Sequence, residues 1–411
     1  MTDTSLRAAS RPSLLARAAW RVGIAALSRI RVGAITVQLP DGTRRTFGHE
    51  ASPNQAEIHI HDHAAFERFL IGGETGGGEA YMEGLWSTPD LGALMRVAAL
   101  NRADLALASG WWRIPTQLQK TFAHRARRNT KANAQRNIAA HYDLSNELYR
   151  LFLDESMTYS SAVFESADQT LEEAQQAKYR RMAARAGLQP GMHVLEIGTG
   201  WGGFALYAAG TLGCRVTTVT ISKEQHALAT ERIRAAGLAH LVDVQLRDYR
   251  DIEGQYDAIV SIEMLEAVGH EYFPAYFRAL DAALRPGGKA SIQVITFPDV
   301  AYETQRRGAN WIQTYIFPGG LCPSISVMER AMAATNLLIT DIDDVASSYV
   351  RTLREWRTRF MSRLDEVRSL GFDDRFIRMW EYYLALSEAG FATGVTQDLQ
   401  LVVTKGRQVP V

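Results

Sequence analysis

The chain has 411 residues, enough for two domains, and its 46% hydrophobic and 22% charged content is that of an ordinary globular protein. The formal net charge is zero, so the overall charge gives no reason to expect a nucleic-acid partner. Cys214 and Cys322 are the two cysteines, and their wide separation argues against a disulfide scaffold or a metal site. The sequence lacks a run of about 18 uncharged apolar residues, so we expect no transmembrane helix.

Basic residues are concentrated in two segments of the chain. Between Met1 and Arg31, six arginines stand against one acidic residue, Asp3, with apolar residues interspersed, and a second basic cluster runs from Lys120 to Arg136. Basic amphipathic helices are typical of membrane-surface elements, although a solvated helix face or an N-terminal targeting segment would have the same composition. We therefore expect a cytoplasmic protein that associates peripherally with the inner membrane surface.

The first part of the chain mixes strand and helix patterns. Alternating residues over 32–47, interrupted by Asp41-Gly42, predict a β-hairpin, and 54–63 predicts another strand. Helical patterns follow over 62–71 and 91–107, and the glycine-rich run 72–78 between them predicts a flexible break.

A polar, basic stretch at 129–137 has the composition of a linker. It predicts a boundary between a smaller N-terminal α+β domain, residues 1–128, that associates with lipid or membrane, and a second domain, residues 129–411.

The second part alternates apolar runs with amphipathic helical patterns. Strands are predicted over His193–Ile197, Arg215–Thr220, Val242–Leu246, 258–261 and 290–295, and helices over 204–211, 223–236, 274–284, 354–368 and 375–388. This alternation predicts an α/β fold with a doubly wound, Rossmann-like parallel sheet. A ligand would bind at the carboxyl ends of the strands.

The segment after the first of these strands carries the clearest binding motif. Gly198, Gly200 and Gly202 lie between the strand and a helix, where glycines let a ligand approach the backbone and the helix N-terminus offers free N–H groups. Glu196, just before the first glycine, would repel a pyrophosphate but attract a cation. The motif therefore favours S-adenosylmethionine, whose sulfonium and amino groups are positive, over a nicotinamide dinucleotide.

Further cofactor ligands are predicted at the ends of the next two strands. Thr220, Ser222 and Gln225 replace the usual acidic residue that binds the ribose hydroxyls, and their polar groups can both donate and accept. Asp248 is predicted to bind the adenine amino group and Tyr249 to stack on its ring. The alternative for each is an ordinary turn or helix cap, and Ser222 followed by Gln225 fits a capping box.

Several longer motifs occur in one order along the chain. They are Gly78-Glu-Ala-Tyr-Met-Glu-Gly-Leu-Trp86, His141-Tyr-Asp-Leu-Ser-Asn-Glu-Leu-Tyr149, Met157-Thr-Tyr-Ser-Ser-Ala-Val-Phe164, Thr220-Ile-Ser-Lys-Glu-Gln225, Ser261-Ile-Glu-Met-Leu-Glu-Ala-Val-Gly269, Tyr315-Ile-Phe-Pro-Gly-Gly320 and Arg378-Met-Trp-Glu-Tyr-Tyr-Leu384. With these motifs and the glycine turn, the sequence resembles the cyclopropane-fatty-acyl-phospholipid synthase family over nearly its whole length.

The resemblance implies a class I methyltransferase fold and a reaction on lipid. In that family, a methylene group from S-adenosylmethionine is added across a cis double bond of a phospholipid acyl chain. The partner would be a bilayer surface carrying unsaturated acyl chains, and a homodimer is one of the oligomeric states left open. The resemblance also implies that Tyr159 and Ser160, in the motif Met157–Phe164, lie at the cofactor.

The resemblance also implies the base that completes the reaction. In the family this base is a bound bicarbonate held by a Cys, a Glu, a His, a Tyr and the backbone of an Ile. Glu266, Ile295 and Tyr349 correspond to three of these, but Ser161 and Gln293 stand where the Cys and His are expected. Serine and glutamine can still donate hydrogen bonds to an anion, so bicarbonate is a second expected cofactor, although the group that titrates near neutrality is lost.

These two departures leave the product open. Cyclopropanation is the default, and a methyl-branched or methylene chain is the variant. Glu266 would serve as base or orient the anion, whereas Glu263 is expected to point to the other side of an extended segment. A small-amine N-methyltransferase and a non-catalytic lipid- or nucleoside-binding protein are the alternatives from other classes.

Overall fold

The computed structural model describes residues 13–108 and 145–406 of the chain. The second basic cluster, the predicted domain boundary near residue 128 and the first four residues of the motif at 141–149 lie outside these ranges. We refer to residues 13–108 as the N-terminal unit and to residues 145–406 as the C-terminal unit.

The N-terminal unit combines a small sheet with helices. Its elements are α1 (Leu14–Leu27), β1 (Ala34–Gln38), β2 (Arg44–Gly48), β3 (Gln55–Ile60), α2 (Ala64–Met82), β4 (Trp86–Ser87), α3 (Leu91–Leu100) and α4 (Arg102–Ala108). The strand order is β2-β1-β3-β4, with β1 antiparallel to β2 and parallel to β3. The predicted hairpin and the strand that follows it are confirmed.

The glycine-rich run lies within α2, and the predicted break is confirmed at Gly73, where two helical segments meet at a kink. Within the run, Gly73 has non-helical backbone angles (φ 57°, ψ −134°). A Cβ at Gly78 would overlap the Trp311 ring, and a Cβ at Gly76 would overlap the backbone carbonyl of Arg68. The glycines are therefore needed for close packing of this helix, and tertiary contacts outweigh their low helix propensity.

The C-terminal unit alternates strands and helices. Its elements are α5 (Asn146–Arg150), α6 (Leu171–Ala186), β5 (His193–Ile197), α7 (Gly203–Gly210), β6 (Arg215–Thr220), α8 (Lys223–Ala235), β7 (Val242–Leu246), β8 (Tyr256–Ile262), α9 (Phe273–Ala283), β9 (Leu284–Thr296), α10 (Asp299–Gln305), α11 (Trp311–Tyr315), α12 (Ile325–Met332), β10 (Leu337–Asp344), α13 (Ala346–Ser362), α14 (Leu364–Ser369), α15 (Asp374–Ala392) and β11 (Gln397–Lys405).

These strands form one seven-stranded sheet in the order β10-β11-β9-β8-β5-β6-β7. The neighbours from β9 to β7 pair in parallel, and β11 is antiparallel to both β9 and β10. The predicted doubly wound α/β fold is confirmed, and the β10–β11 pair is an addition that the sequence analysis missed. The strand order reverses beside β5, so the carboxyl ends of β5 and β8 frame the crevice where such sheets bind ligands.

A single cluster of buried residues reaches from the N-terminal unit into the C-terminal unit. It includes Ile35 and Trp86 on one side and Trp356, Phe360 and Trp380 on the other. Helix α15 packs against α2 and α3 of the N-terminal unit as well as against α13. The N-terminal unit therefore covers the same end of the molecule as the long C-terminal helices.

Candidate active site

The glycine turn after β5 gives each of its three glycines a different environment. All three have positive φ, at 100° for Gly198, 51° for Gly200 and 86° for Gly202. A Cβ at Gly198 would lie 3.2 Å from Cβ of Met264, and one at Gly202 would lie 3.3 Å from Cβ of Ala229. Gly200 has nothing within 4 Å of that position and lines the main cavity. Gly200 therefore faces a ligand, whereas Gly202 caps α7 and packs against α8.

Glu196 lies beside this turn with an unsatisfied carboxylate. Its side chain is buried and lines the cavity, and Oε2 has no hydrogen-bond partner among the described residues. Burial raises the pKa of Glu196 to about 8. A positive ligand group would supply the missing partner and favour the ionised carboxylate, which agrees with the cation predicted from the sequence.

The three polar residues after β6 are largely bonded to one another. The Thr220 hydroxyl donates to Oε1 of Gln225 over 2.9 Å, and both residues line the cavity. Ser222 accepts from the backbone N–H of Gln225 at the start of α8 and is absent from the cavity wall. Ser222 therefore caps helix α8, which was the alternative to cofactor binding. Thr220 and Gln225 face the cavity.

Asp248 and Tyr249 also line the cavity, at the end of β7. The Asp248 carboxylate accepts from Nε and an Nη of Arg250 over 2.7 and 2.6 Å. The same guanidinium lies 5.4 Å from the centre of the Tyr249 ring. Contact of these two residues with adenine stays a prediction, and Arg250 is the partner that positions them.

Tyr159 belongs to an aromatic wall of the cavity. Its ring stacks on Trp356 and on Phe317, with ring centres 5.3 and 6.5 Å apart, and its hydroxyl donates to the Tyr383 hydroxyl over 2.9 Å. Tyr159, Phe317 and Tyr383 line the cavity and Trp356 packs behind Tyr159, and we call these four residues the aromatic wall.

Ser160, next to Tyr159, is held from behind by a buried lysine. Nζ of Lys178 donates to the Ser160 hydroxyl oxygen over 2.6 Å, and burial lowers the pKa of Lys178 to about 8. The Ser160 carbonyl accepts from Nε2 of Gln175 over 3.0 Å. Helix α6 therefore fixes the loop that carries Tyr159 and Ser160.

Glu263 lies inside the site, so the prediction that it points away is wrong. Strand β8 ends at Ile262, and Glu263 takes a left-handed backbone conformation with φ of 48°, which turns its side chain into the cavity. The carboxylate accepts hydrogen bonds from the backbone N–H of Ser161 (2.8 Å), Nε2 of Gln293 (2.8 Å) and the Tyr349 hydroxyl (2.7 Å). Period-two alternation failed here because the chain is not extended beyond Ile262: Glu263 is left-handed, and a 3-10 turn follows over Leu265–Ala267.

Glu266 is the second buried carboxyl group at the cavity. Its Oε1 accepts from the backbone N–H of Ile295, and its Oε2 has no hydrogen-bond partner among the described residues. Burial and the nearby charge of Glu263 raise the pKa of Glu266 to about 8. Glu266, Ile295 and Tyr349 thus line one cavity, and the roles that the resemblance implies for them stay predictions.

Ser161 and Gln293 contribute to this site from behind Glu263. Both are fully buried and absent from the cavity wall. The Ser161 hydroxyl donates to the carbonyl of Ala162 over 2.9 Å, so only its backbone N–H points to the site. Oε1 of Gln293 accepts from Gln400, and its Nε2 also lies 3.2 Å from Asp398. In this structure Ser161 and Gln293 hydrogen-bond Glu263. This differs from the expectation that they contact a bound bicarbonate ion.

A cavity of about 1080 Å³ connects Glu196, Tyr159, Asp248 and the two buried carboxyl groups, Glu263 and Glu266. It runs from the glycine turn past Glu263, Glu266 and Tyr349 into the N-terminal unit. There its wall is largely apolar, with Glu74 and Arg102 as its charged residues. It is formed by residues of α1, the small sheet and α2 to α4, among them Trp20, Ile35, Val37, Ile58, Phe66, Leu94 and Met95. The N-terminal unit thus offers apolar space that is continuous with the cofactor crevice.

Comparison with known proteins now identifies the family. The profile of the mycolic acid cyclopropane synthetase family matches residues 129–401. The chain belongs to this family. It is 46% identical to the tuberculostearic acid methyltransferase UfaA1 of Mycobacterium tuberculosis over 354 residues, 84% of this chain and 82% of that protein. It is 34% identical to the cyclopropane-fatty-acyl-phospholipid synthase of Escherichia coli over 355 residues, 85% of this chain and 88% of that protein.

Among solved structures, the chain resembles the mycolic acid cyclopropane synthase CmaA1 in its complex with SAH and CTAB. The two sequences are 31% identical. Its TM-score is 0.63, and the match covers 66% of this chain and 98% of CmaA1. As a member of the mycolic acid cyclopropane synthetase family, the chain is an S-adenosylmethionine-dependent methyltransferase. The unpartnered Oε2 of Glu196 and the open space at Gly200 fit this cofactor.

Two further observations concern the described part of this family member. Across residues 13–108 and 145–406, the structure has no group of three or more His, Cys, Asp or Glu side chains placed to hold a metal ion. None of the helices in these ranges is long and apolar enough to cross a membrane.

Proposed function

We propose that this chain transfers the methyl group of S-adenosylmethionine to a cis double bond in an unsaturated acyl chain of a phospholipid. The observation that supports this proposal most strongly is the single cavity that joins three regions. It connects the glycine turn with Glu196, the buried carboxyl groups of Glu263 and Glu266, and the apolar space of the N-terminal unit. A small hydrophilic substrate would not need that apolar extension.

The cofactor, when bound, supplies an electrophilic methyl group on a positive sulfur. An isolated alkene is a weak nucleophile, so the protein must exclude water and align the double bond closely with that methyl group. The apolar lining of the cavity provides the dry surroundings. The aromatic wall presents Tyr159 and Phe317 to the cavity, where their ring faces would stabilise the positive carbon that methyl transfer leaves on the acyl chain.

A base must then remove a proton from the added methyl group. Two outcomes compete at this stage. Immediate proton loss closes a cyclopropane ring, whereas a preceding hydride shift moves the positive charge to the methyl-bearing carbon, and proton loss then leaves a methylene group. A saturated methyl branch would require a separate reductant.

We propose the methylene-bearing chain as the product of this protein, with the cyclopropane as the alternative. Two observations support this choice. The 46% identical relative is named a methyltransferase of tuberculostearic acid rather than a cyclopropane synthase. In addition, Ser161 and Gln293 replace the Cys and His expected from the family, and Glu263 fills the space in front of them. The group that meets the cation would then differ from that of the family, which would allow a hydride shift to precede proton loss.

We also propose that the N-terminal unit binds the inner membrane surface. Helix α1 carries exposed Arg17 and Arg21, and Leu14 at its start is 84% exposed. The same helix contributes Trp20 to the wall of the apolar cavity. A basic helix with exposed apolar residues beside a cavity mouth would let an acyl chain pass from the bilayer into the site.

Mass spectrometry of the acyl chains tests the proposed function. The purified protein is incubated with S-adenosylmethionine and vesicles of a cis-unsaturated phospholipid, and we expect the acyl chain to gain one CH2 and keep one double bond. A mass gain with loss of the double bond would establish ring closure instead. No gain with lipid, together with methylation of a small amine, would contradict the proposal.

A further inference from the structure

Glu263 is a buried carboxylate at the cavity whose hydrogen-bond donors come from distant parts of the chain. Three donors from three separate parts of the chain converge on it: the loop at Ser161, strand β9 at Gln293 and helix α13 at Tyr349. Its backbone has φ of 48°, a conformation that residues other than glycine rarely adopt. A strained backbone conformation persists only when the surrounding contacts hold it in place, and these three hydrogen bonds hold the Glu263 side chain.

The same three positions are the ones expected to bind bicarbonate. Ser161, Gln293 and Tyr349 correspond to three of the five family positions, and each gives its N–H or O–H to Glu263 instead. The remaining two groups, the Ile295 backbone N–H and Glu266, are bonded to each other. A bicarbonate ion placed here would meet a second negative charge and find these donors already engaged. The residues present therefore do not fit a bound bicarbonate.

We propose that the Glu263 carboxylate takes the place of bicarbonate and is the group that accepts the proton from the newly added methyl group. This inference rests on the proposed function. A C–H bond of the methyl group breaks, and its proton passes to a carboxylate oxygen of Glu263. The electron pair of that bond neutralises the positive carbon, forming either the methylene double bond or the third bond of the ring. No oxidant or reductant is required, and the carboxyl group returns its proton to water once the lipid has left.

The environment distinguishes Glu263 from Glu266 as the acceptor. Burial raises the pKa of both carboxyl groups, but the charge of Lys178 and the three donors act in the opposite direction at Glu263. Hydrogen bonds to the charged form stabilise it. Glu266 has the Ile295 N–H on one oxygen, and no partner on the other among the described residues. Three donors on Glu263 against one on Glu266 therefore make Glu263 the member of the pair whose surroundings better stabilise a negative charge.

The position of Glu263 also suits proton transfer beside the cofactor. The next residue, Met264, packs directly against the glycine turn, 3.2 Å from the position of a Cβ on Gly198. The Glu263 side chain lines the same cavity as Gly200 and Glu196. The proton acceptor and the cofactor turn are thus neighbours in space.

The first test needs no variant. Lipid methylation by the wild-type protein is measured by mass spectrometry in buffer depleted of carbon dioxide and again with added sodium bicarbonate. We expect the same rate in both. A rate that depends on added bicarbonate would overturn the proposal for Glu263 while leaving the proposed function intact. A wild-type protein that adds no CH2 to lipid under either condition would overturn both.

The second test replaces the carboxylate. Glu263→Gly suits the left-handed backbone and opens the space in front of the three donors. We expect product formation to fall on the order of 10²–10⁴-fold without bicarbonate and to recover when bicarbonate is added. Glu263→Gln fills the same space with a neutral amide, and we expect the loss without the recovery. Full turnover of Glu263→Gly in bicarbonate-free buffer would overturn the proposal.

Two controls accompany these variants. Cofactor affinity and the far-ultraviolet circular dichroism of Glu263→Gly should match those of the wild type, which separates a lost base from a lost fold. Asp398→Asn changes another buried carboxyl group next to Gln293 that is absent from the cavity wall. We expect no bicarbonate-dependent gain in that variant, and such a gain would contradict the assignment to Glu263.

Discussion

The Tyr349 hydroxyl donates to Oε2 of Glu263 over 2.7 Å, while the Tyr349 ring stacks on Phe391 with ring centres 4.3 Å apart. The ring contact and the hydrogen bond can therefore be separated by substitution. Phenylalanine at this position would keep the stacking and remove the donor alone.

Tyr349→Phe should raise the pKa of Glu263, because the ionised carboxylate loses one of its three donors. A base works in its ionised form, so a higher pKa moves the acid limb of the kcat–pH profile to higher pH. We expect a fall in kcat of about 10-fold near neutral pH, which diminishes as the pH rises. The control is Tyr315→Phe, since the Tyr315 hydroxyl bonds Glu79 and not Glu263. An unshifted acid limb in Tyr349→Phe would contradict the prediction.

Cofactor binding should depend on the ionisation of Glu196. Burial raises the pKa of this carboxyl group to about 8, so it is mostly protonated at neutral pH in the cofactor-free protein. A positive ligand favours the ionised form. Affinity should therefore increase with pH, by at most about tenfold per unit, and level off above about pH 8. Titration calorimetry in buffers of different ionisation enthalpy would detect the released proton.

Glu196→Gln should weaken cofactor binding and remove the pH dependence that Glu196 causes. The amide preserves the size of the side chain and lacks the charge. Wild-type affinity in this variant, measured by the same calorimetry, would show that Glu196 does not bind the positive groups of the cofactor.

Two glycines of the same turn should respond differently to alanine. Gly200→Ala and Gly202→Ala both place a side chain at positive φ, which costs roughly 1–2 kcal/mol of folding stability each. Only Gly200→Ala directs its methyl group into the cavity, whereas Gly202→Ala meets Ala229. We expect both variants to lose stability and only Gly200→Ala to lose additional cofactor affinity. Equal affinity losses in thermal-shift and binding measurements would contradict this division.

The cofactor-free protein should lose stability as the pH rises from about 5 to about 8. The pKa values of Glu196 and Glu266 are raised from 4.5 to about 8 in the folded state. In this window the folded state holds protons that the unfolded state has released, so rising pH favours unfolding. Glu266→Gln should reduce the slope. Urea unfolding at several pH values measures it, and parallel curves for the variant and the wild type would contradict the prediction.

Charge reversal on α1 should weaken binding to acidic vesicles. Each arginine near an anionic surface contributes about 1 kcal/mol, so Arg17→Glu combined with Arg21→Glu should lower the affinity at least tenfold, roughly. Arg234 and Arg278 are exposed on the C-terminal unit and provide a matched double reversal. Vesicle sedimentation compares the two proteins. Equal binding by both would exclude α1 as the membrane contact.

Much of the fold followed from local patterns. The bounds of β5, β6 and β7 match their predicted ranges because each is a short run rich in Val, Ile, Leu or Thr, which favour strands. The antiparallel β10 and β11 were missed. Their place in the sheet depends on pairing between residues far apart in sequence, and no turn joins them directly.

Only some members of the site were predicted, and its arrangement was not. Motif resemblance identified Glu266, Ile295 and Tyr349, which the structure brings together. Glu263 and Lys178 were missed as site residues, since one turns inward only because of its positive φ and the other is buried by long-range packing. A charged residue directly after an apolar strand was the available signal for Glu263.

The contact between the Gly198 turn and Met264 joins two parts of the protein that perform different tasks. Because residues 263–266 carry both acidic side chains, a ligand that displaced the turn would press through Met264 on the segment that holds them. Occupancy of the nucleoside crevice would then set the alignment of the acidic pair before an acyl chain arrives. This arrangement favours an ordered kinetic sequence in which the methyl donor binds first and its demethylated product leaves last.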